Sequence, residues 1–413
     1  MNRPEPLHLF EGVGIELEYM IVDAQTLNVK PITDEVLKAV TGSYETDYLK
    51  PGICWSNELA LHVIEFKTCD PVARLERTVA PFQDDVRRVN EILKGFGARL
   101  MPSGAHPWMD PHREMRLWPH HYSQIYETYN RIFDCRGHGW ANLQSAHVNL
   151  PFCGDSEFGR LHAAIRFLLP IFPALSASTP IIDGKKQPDL DHRLAVYRIN
   201  SARVPSVTGA VIPEPVFTEA DYRSGILQRM YDEISGLDPD GVLQDEWLNA
   251  RGAIARFDRS AIEIRLLDVQ ECPLADLSIA ALIMAAVEHF TDPGRVDIEA
   301  LKKVRVAPLA AILLQNIRDG DETVIVDREY LAFFGLKGKE SLTAGELWRM
   351  MMTEILGNEA LPAEFHPPLE LILNQGPLAR RILKRAGNDF SPAALFAVYH
   401  ELCECLANGV MFA

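Results

Sequence analysis

The chain is short of the features that mark most nucleotide-handling and redox enzymes. No GxxxxGK(S/T) phosphate loop is present, and Gly95-Phe96-Gly97 lacks the rest of a dinucleotide fingerprint. There is no HExxH pair, and none of the seven cysteines belongs to a CxxC of zinc or redox spacing. Basic charge is scarce: 41 Lys and Arg stand against 57 Asp and Glu, a formal net charge of −16, which argues against a nucleic-acid-binding surface. The longest unbroken apolar run, residues 279–287, falls far short of a bilayer span. Met1-Asn2-Arg3-Pro4-Glu5-Pro6 has no apolar core of the signal-peptide kind. No internal repeat or low-complexity tract breaks the chain. These absences point to a cytoplasmic globular protein with neither nucleic acid nor membrane as partner. The odd, scattered cysteines, Cys403-x-Cys405 included, read as buried thiols of a reducing compartment.

What is present is ordinary globular composition, 47% hydrophobic and 24% charged over 413 residues, enough for one large domain or two. Strands are expected over 10–23, 57–68, 98–103 and 141–152. A hairpin is expected over 253–257 and 261–269 around Asp258-Arg259-Ser260. Helical periodicity runs through Leu75, Val79, Phe82, Val86, Val89 and Leu93, and further helices are expected from residue 33, over 123–135, over 157–177 and over 278–290. Residues 181–220 are rich in Pro and Gly and read as a long loop region. Strands and helices mix without a βαβ rhythm. The expected class is therefore α+β, a mostly antiparallel sheet with helices on one face and a polar cleft on the other. From about residue 292 amphipathic helices take over, so the chain divides into a catalytic unit, 1–291, and a helical C-terminal region, 292–413.

Gly14-Ile15-Glu16-Leu17-Glu18-Tyr19 places two carboxylates two residues apart in an apolar run. On a strand they share a face, with Ile15, Leu17 and Tyr19 on the other. Alone, the pair fits a solvated strand as well as a cation site, because two neighbouring carboxylates stay ionised only when a cation holds them. Other strands repeat the pattern. Ser145, His147 and Asn149 alternate with Ala146, Val148 and Leu150, and Glu263 and Arg265 alternate with Ile262, Ile264 and Leu266. Glu58 and Glu65 flank an apolar stretch with opposite parity, so one of them lies outside the strand or a bulge intervenes. Side by side, these strands would gather Glu16, Glu18, Glu65, His147, Glu263 and Arg265 over one concave surface suited to metal-held phosphates.

These motifs resemble, in order, those of glutamate–cysteine ligase family 2 and the carboxylate–amine ligases, within the wider glutamine synthetase and guanido kinase fold group. The G-I-E-x-E strand is matched at Gly14 to Glu18. The acidic residue followed by L-E-F-x-T is matched at Glu58 and by Ile64-Glu65-Phe66-Lys67-Thr68. G-x-H-P is matched at Gly104 to Pro107, H-x-N at His147 to Asn149, the helix end A-L-S-A-x-S/T-P at Ala174 to Pro180, and E-x-R-x-x-D at Glu263 to Asp268. The matches cover roughly residues 10–290. Asp191 to Pro215 departs from the family pattern, which leaves the acid substrate open.

The resemblance implies ATP-dependent amide formation through the γ-carboxyl of glutamate, by way of an acyl phosphate that an amine then displaces. The alternatives are a phosphotransferase, in which phosphoryl transfer to a guanidino or carboxylate group ends the reaction, and a silent binding protein on the same scaffold. It implies Mg²⁺ or Mn²⁺ held by Glu16, Glu18, Glu58, Glu65, His147 and Glu263, with ATP as co-substrate. Arg265 would stabilise the transferring phosphoryl group, and Glu65 would serve catalysis as well as metal binding. Arg193 or Arg198 would pair with a glutamate-like carboxylate, and Asn149 would touch substrate or orient a ligand. The expected partners are small molecules (an amino acid, an amine and ATP), with a homodimer as a compatible assembly.

Overall fold

The computed structural model describes residues 6–413; Met1 to Glu5, most of the segment read above as lacking a leader's core, lie outside the described residues. Its centre is an eight-stranded antiparallel sheet. The strands are β1 (Gly14–Asp23), β2 (Asp47–Tyr48), β3 (Ile53–Asn57), β4 (Val63–Thr68), β5 (Ala98–Met101), β6 (Ser145–Pro151), β9 (Ala253–Arg256) and β10 (Ala261–Asp268). Two small hairpins, β7 (Ile181–Ile182) with β8 (Lys185–Lys186) and β11 (Val324–Ile325) with β12 (Leu342–Thr343), lie apart from it. The order across the sheet is β2-β3-β4-β1-β6-β10-β9, with β5 pairing the far end of β1.

Period-two alternation decides which face is which. Ile15, Leu17, Tyr19 and Ile21 of β1, Ile64 and Phe66 of β4, Ala146, Val148 and Leu150 of β6, and Ile262 and Ile264 of β10 are buried in one core. Helix Val79–Lys94 packs there through Phe82, Val86, Val89 and Leu93, the expected stripe at helical spacing. Helices Gly154–Leu168 and Pro273–Thr291 complete the layer and are apolar almost all round, as fully enclosed helices are. Helix Pro273–Thr291 is long and apolar enough to cross a membrane, but most of it is buried inside this core.

The expected strand over 57–68 holds the last residue of β3, the connection 58–62 with Glu58, and all of β4; the rest of β3 precedes it. That resolves the parity conflict: Glu65 lies within β4 and Glu58 outside it. The C-terminal region adds something the alternation did not show. Met20 and Val22 continue the Glu16 and Glu18 face of β1, and they pack with Met101 against Leu378, Ile382, Leu395, Val398, Tyr399 and Leu402. Helices Leu378–Ala386 and Pro392–Asn408 therefore cover the far end of the polar face. A buried ion pair between Arg381 and Glu271 ties this tail to the segment after β10.

The cysteines need a correction. Cys54 and Cys69 form a disulfide, with Cα atoms 5.3 Å apart. Cys54 faces Lys67 across the β3–β4 ladder, and Cys69 follows two residues later on the same side. Cys135, Cys153, Cys272, Cys403 and Cys405 are free thiols, the last two buried as expected.

Candidate active site

Cross-strand register brings the polar residues together. Glu16 stands opposite His147 and Lys67, Glu18 opposite Glu65, Ser56 opposite Glu65, and Asn149 opposite Glu263. Directly paired residues of an antiparallel ladder share a face, so these side chains form one continuous row. His147 is its centre. Its Nδ1 lies 2.7 Å from Glu16 Oε2 and 3.9 Å from Glu263 Oε1, and its Nε2 lies 2.9 Å from Ser145 Oγ and 3.7 Å from Glu18 Oε1. Asn149 Nδ2 donates to Glu16 Oε1 at 3.1 Å. Asn149 lies against Gly14, where an added Cβ would meet the Asn149 Cβ at 3.1 Å.

The electrostatics follow from this crowding. Burial works against the charged form of His147, but the hydrogen bond and charge of Glu16, then Glu18 and Glu263, raise its pKa to about 9. Burial pushes Glu16 up, yet the hydrogen bond from His147 leaves it below the usual carboxylate range. Glu18 is raised by burial, and half-buried Glu58 is raised well above the usual range by desolvation together with Glu18 and Glu65. Glu263 is held low against burial by Arg265, His147 and Arg256. Without a bound ion, the row is thus an array of carboxylates balanced by an imidazolium and a few fixed cations.

Two donor sets within this array are close enough to hold a cation. Glu16, His147 and Glu263 form one, and Glu18, Glu65 and His147 the other, each with ligand atoms within 4.8 Å of one another. Carboxylate oxygens with one imidazole suit a hard divalent ion. Five of the six expected metal residues thus fall into the two sets. Glu58 is beside them electrostatically but outside both.

Arg265 joins the row beside Glu263, two residues away on the same strand, at a bulge. Pairing of β10 with β6 slips between Ile264 and Leu267, so Arg265 and Leu266 together oppose His147. The Arg265 guanidinium lies 2.9 Å from Glu263 Oε1 and donates to the Asn249 carbonyl at 3.1 Å. Arg193 does not reach the face, contrary to the expectation that it binds a substrate carboxylate. It is 2% exposed and donates to the carbonyls of Arg265, Leu266 and Leu267 at 3.1, 3.3 and 3.0 Å. Its Nε lies 3.4 Å from Asp268 Oδ1. Buried carbonyls need donors, and Arg193 supplies them at the bulge. Arg198 is exposed at the end of helix His192–Tyr197, with no side-chain ion pair or hydrogen bond among the described residues.

Three motifs meet behind the site at Asp268. Its Oδ2 accepts from the Ser178 amide at 2.8 Å and from Thr179 Oγ1 at 3.1 Å, while Ser178 Oγ accepts from the Gly104 amide at 2.8 Å. A Cβ at Gly104 would come within 2.6 Å of Asp268 Cγ, so glycine is required there by close approach. His106 is buried beside this hub, its Nε2 2.7 Å from the Leu27 carbonyl, and lines no part of the row.

The sequence reading missed Lys67, Asp47, Ser56 and Arg256. Lys67 Nζ contacts Glu65 at 2.9 Å, and Arg256 Nη1 lies 3.6 Å from Glu263 Oε2. Lys67 carried a signal, since it shares the parity of Glu65. Arg256 carried one only through the hairpin register that sets it opposite Ala261.

The sheet and its helical backing recur in solved structures. The fold matches glutamate–cysteine ligase from Francisella tularensis, solved in complex with AMP, with a TM-score of 0.62 at 12% identity, over 97% of this chain and 90% of that one. A bifunctional glutathione synthetase from Pasteurella multocida matches with a TM-score of 0.51 at 14% identity, over 96% of this chain and 52% of that one. The chain belongs to glutamate–cysteine ligase family 2, whose model matches residues 12–353. An uncharacterized protein of Archaeoglobus fulgidus is 34% identical over 358 residues, 84% of this chain and 95% of that protein. A Rubrobacter xylanophilus protein provisionally named glutamate–cysteine ligase 2-3 is 30% identical over 192 residues, 45% of this chain and 47% of the relative. The match thus spans about half the length of that named relative.

Proposed function

We propose that the protein is an ATP-dependent carboxylate–amine ligase that activates the γ-carboxyl of a glutamate-like acid as an acyl phosphate and joins it to an amine. The observation that carries this reading is the pair of donor sets sharing His147 on one face of a family 2 sheet. Divalent ions there would neutralise the charge that builds on the transferring phosphoryl group. Glu16 with Glu263, and Glu18 with Glu65, would each contribute to one of two ions, with His147, which as neutral imidazole has one lone pair to give, ligating one of them. Arg265, anchored by Glu263 and the Asn249 carbonyl, presents fixed positive charge beside the first set, where phosphoryl transfer needs preorganised stabilisation rather than covalent chemistry. Asn149 fixes Glu16 from its other oxygen. Arg198, exposed and without a competing partner among the described residues, is the better placed of the two predicted arginines for a substrate carboxylate.

The test is an ADP-release screen with Mg²⁺-ATP, L-glutamate and a panel of amines including cysteine, with products identified by mass spectrometry. ADP and an amide appearing together support a ligase. ADP with no amine requirement supports a phosphotransferase instead. Glu16→Gln or Glu65→Gln abolishes metal-dependent turnover in a folded protein; wild-type turnover in either variant rejects the metal assignment.

A further inference from the structure

Lys67 sits where the family motif L-E-F-x-T leaves its position open, and alternation in β4 turns it onto the face of Glu65. Its ammonium group is surrounded by oxygen. Nζ lies 2.8 Å from Ser56 Oγ of β3, 2.9 Å from Glu65 Oε1 of β4 and 3.4 Å from Asp47 Oδ1 of β2. Three adjacent strands therefore aim a hydroxyl and two carboxylates at one point, the donor chemistry that a hard divalent ion takes together with water. Here a lysine nitrogen occupies that point.

The surroundings of Glu65 sharpen the picture. Its Oε1 accepts from both Ser56 Oγ, at 2.7 Å, and Lys67 Nζ. That engagement leaves Oε2 outside both contacts, and Glu65 belongs as well to the Glu18 and His147 set. One oxygen of Glu65 is thus committed to a built-in cation, and the other is available to an exchangeable one. A permanent charge at the Asp47 corner also disfavours a second cation a few ångströms away, by simple Coulomb repulsion.

We infer that the Lys67 ammonium is a built-in third cation of this site, occupying the Asp47–Ser56–Glu65 corner and limiting the row to two divalent ions. The inference rests on the reading that the row binds divalent metal, and it fixes how many ions that row takes. It also makes Lys67 the feature of this chain, not of the family motif, that sets the stoichiometry.

The test titrates the metal-free full-length protein with Mn²⁺ alone and counts tightly bound ions by the loss of the free Mn²⁺ electron paramagnetic resonance signal. The wild type binds two. Lys67→Met binds three, and adding Asp47→Asn to Lys67→Met returns the count to two. Lys67→Arg keeps the charge and binds two, so it remains informative if the methionine variant fails to fold. Two ions in a folded Lys67→Met protein, or three in the wild type or in Lys67→Arg, overturn the inference while the metal reading stands. No bound ion in the wild type overturns the metal reading, and the inference with it.

Discussion

Arg193 offers the sharpest test of how the site is supported. Its guanidinium caps three consecutive carbonyls at the β10 bulge and faces Asp268, and its side chain is almost wholly enclosed. Arg193→Met keeps most of the volume and removes every donor. Deleting one partner of a buried charged network costs about 3–5 kcal/mol, because the group left behind is buried and unpaired. Asp268 retains its bonds from Ser178 and Thr179, which limits the loss on that side. An unfolding entropy of about 2.1 cal/mol/K per residue gives about 0.9 kcal/mol/K for the chain, so the expected fall in Tm is about 3–6 °C by scanning calorimetry.

Stability alone does not show that Arg193 positions the catalytic machinery. The bulge it holds includes Arg265, the neighbour of Glu263, so its effect on turnover should pass through Arg265. In ADP release, Arg193→Met and Arg265→Lys each lower kcat, and the double variant is no slower than Arg265→Lys alone. A Tm within 1 °C of wild type would refute the structural argument. Fully additive losses of turnover would refute the route through Arg265.

Buried His62, His106 and His162 have pKa values lowered by burial to about 3, 4 and 3, so the unfolded chain takes up protons below about pH 6.5 that the folded chain refuses. Their contribution to stability is full above pH 6.5 and falls as pH drops toward 4; a denaturant midpoint unchanged between pH 7 and 4.5 would contradict this, and His62→Leu should flatten the slope. His147 has the opposite sign: with its folded pKa at about 9, the metal-free protein keeps that contribution below pH 6.5 and loses it as pH rises through 9, which guanidinium titrations in a chelator read directly. Reducing the Cys54–Cys69 bridge, whose partners are 15 residues apart, removes a constraint on the unfolded chain worth about 3 kcal/mol, so calorimetry should show Tm lower by about 3 °C with a dithiol reductant and unchanged by it in Cys54→Ser.

Much of the sheet and its face were legible because alternation is a local signal. Glu16, Glu18, His147 and Glu263 sit among apolar neighbours at period two, so their common face followed from each strand separately. Glu58 was legible as a conflict, and the turn between β3 and β4 settled it. Other features depend on cross-strand register, which one strand's pattern does not contain. The bulge at Arg265, the approach of Cys54 to Cys69 and the position of Arg256 are all of this kind. Arg193 was misjudged for a related reason: an arginine that caps carbonyls looks, in sequence, like one that binds a carboxylate.

The row of carboxylates also explains why its ends and its centre behave differently. At one end Lys67 lies against Glu65 and Asp47, and at the other Arg265 and Arg256 lie against Glu263. These cations are covalently part of the chain and cannot leave. At the centre the charge is a proton on His147, shared among Glu16, Glu18 and Glu263, and an imidazole gives up its proton when it becomes a ligand. If the row takes divalent ions as proposed, only the centre can therefore release its positive charge to make room for them. Both donor sets include His147, so the residues that bracket them fix where the exchange takes place.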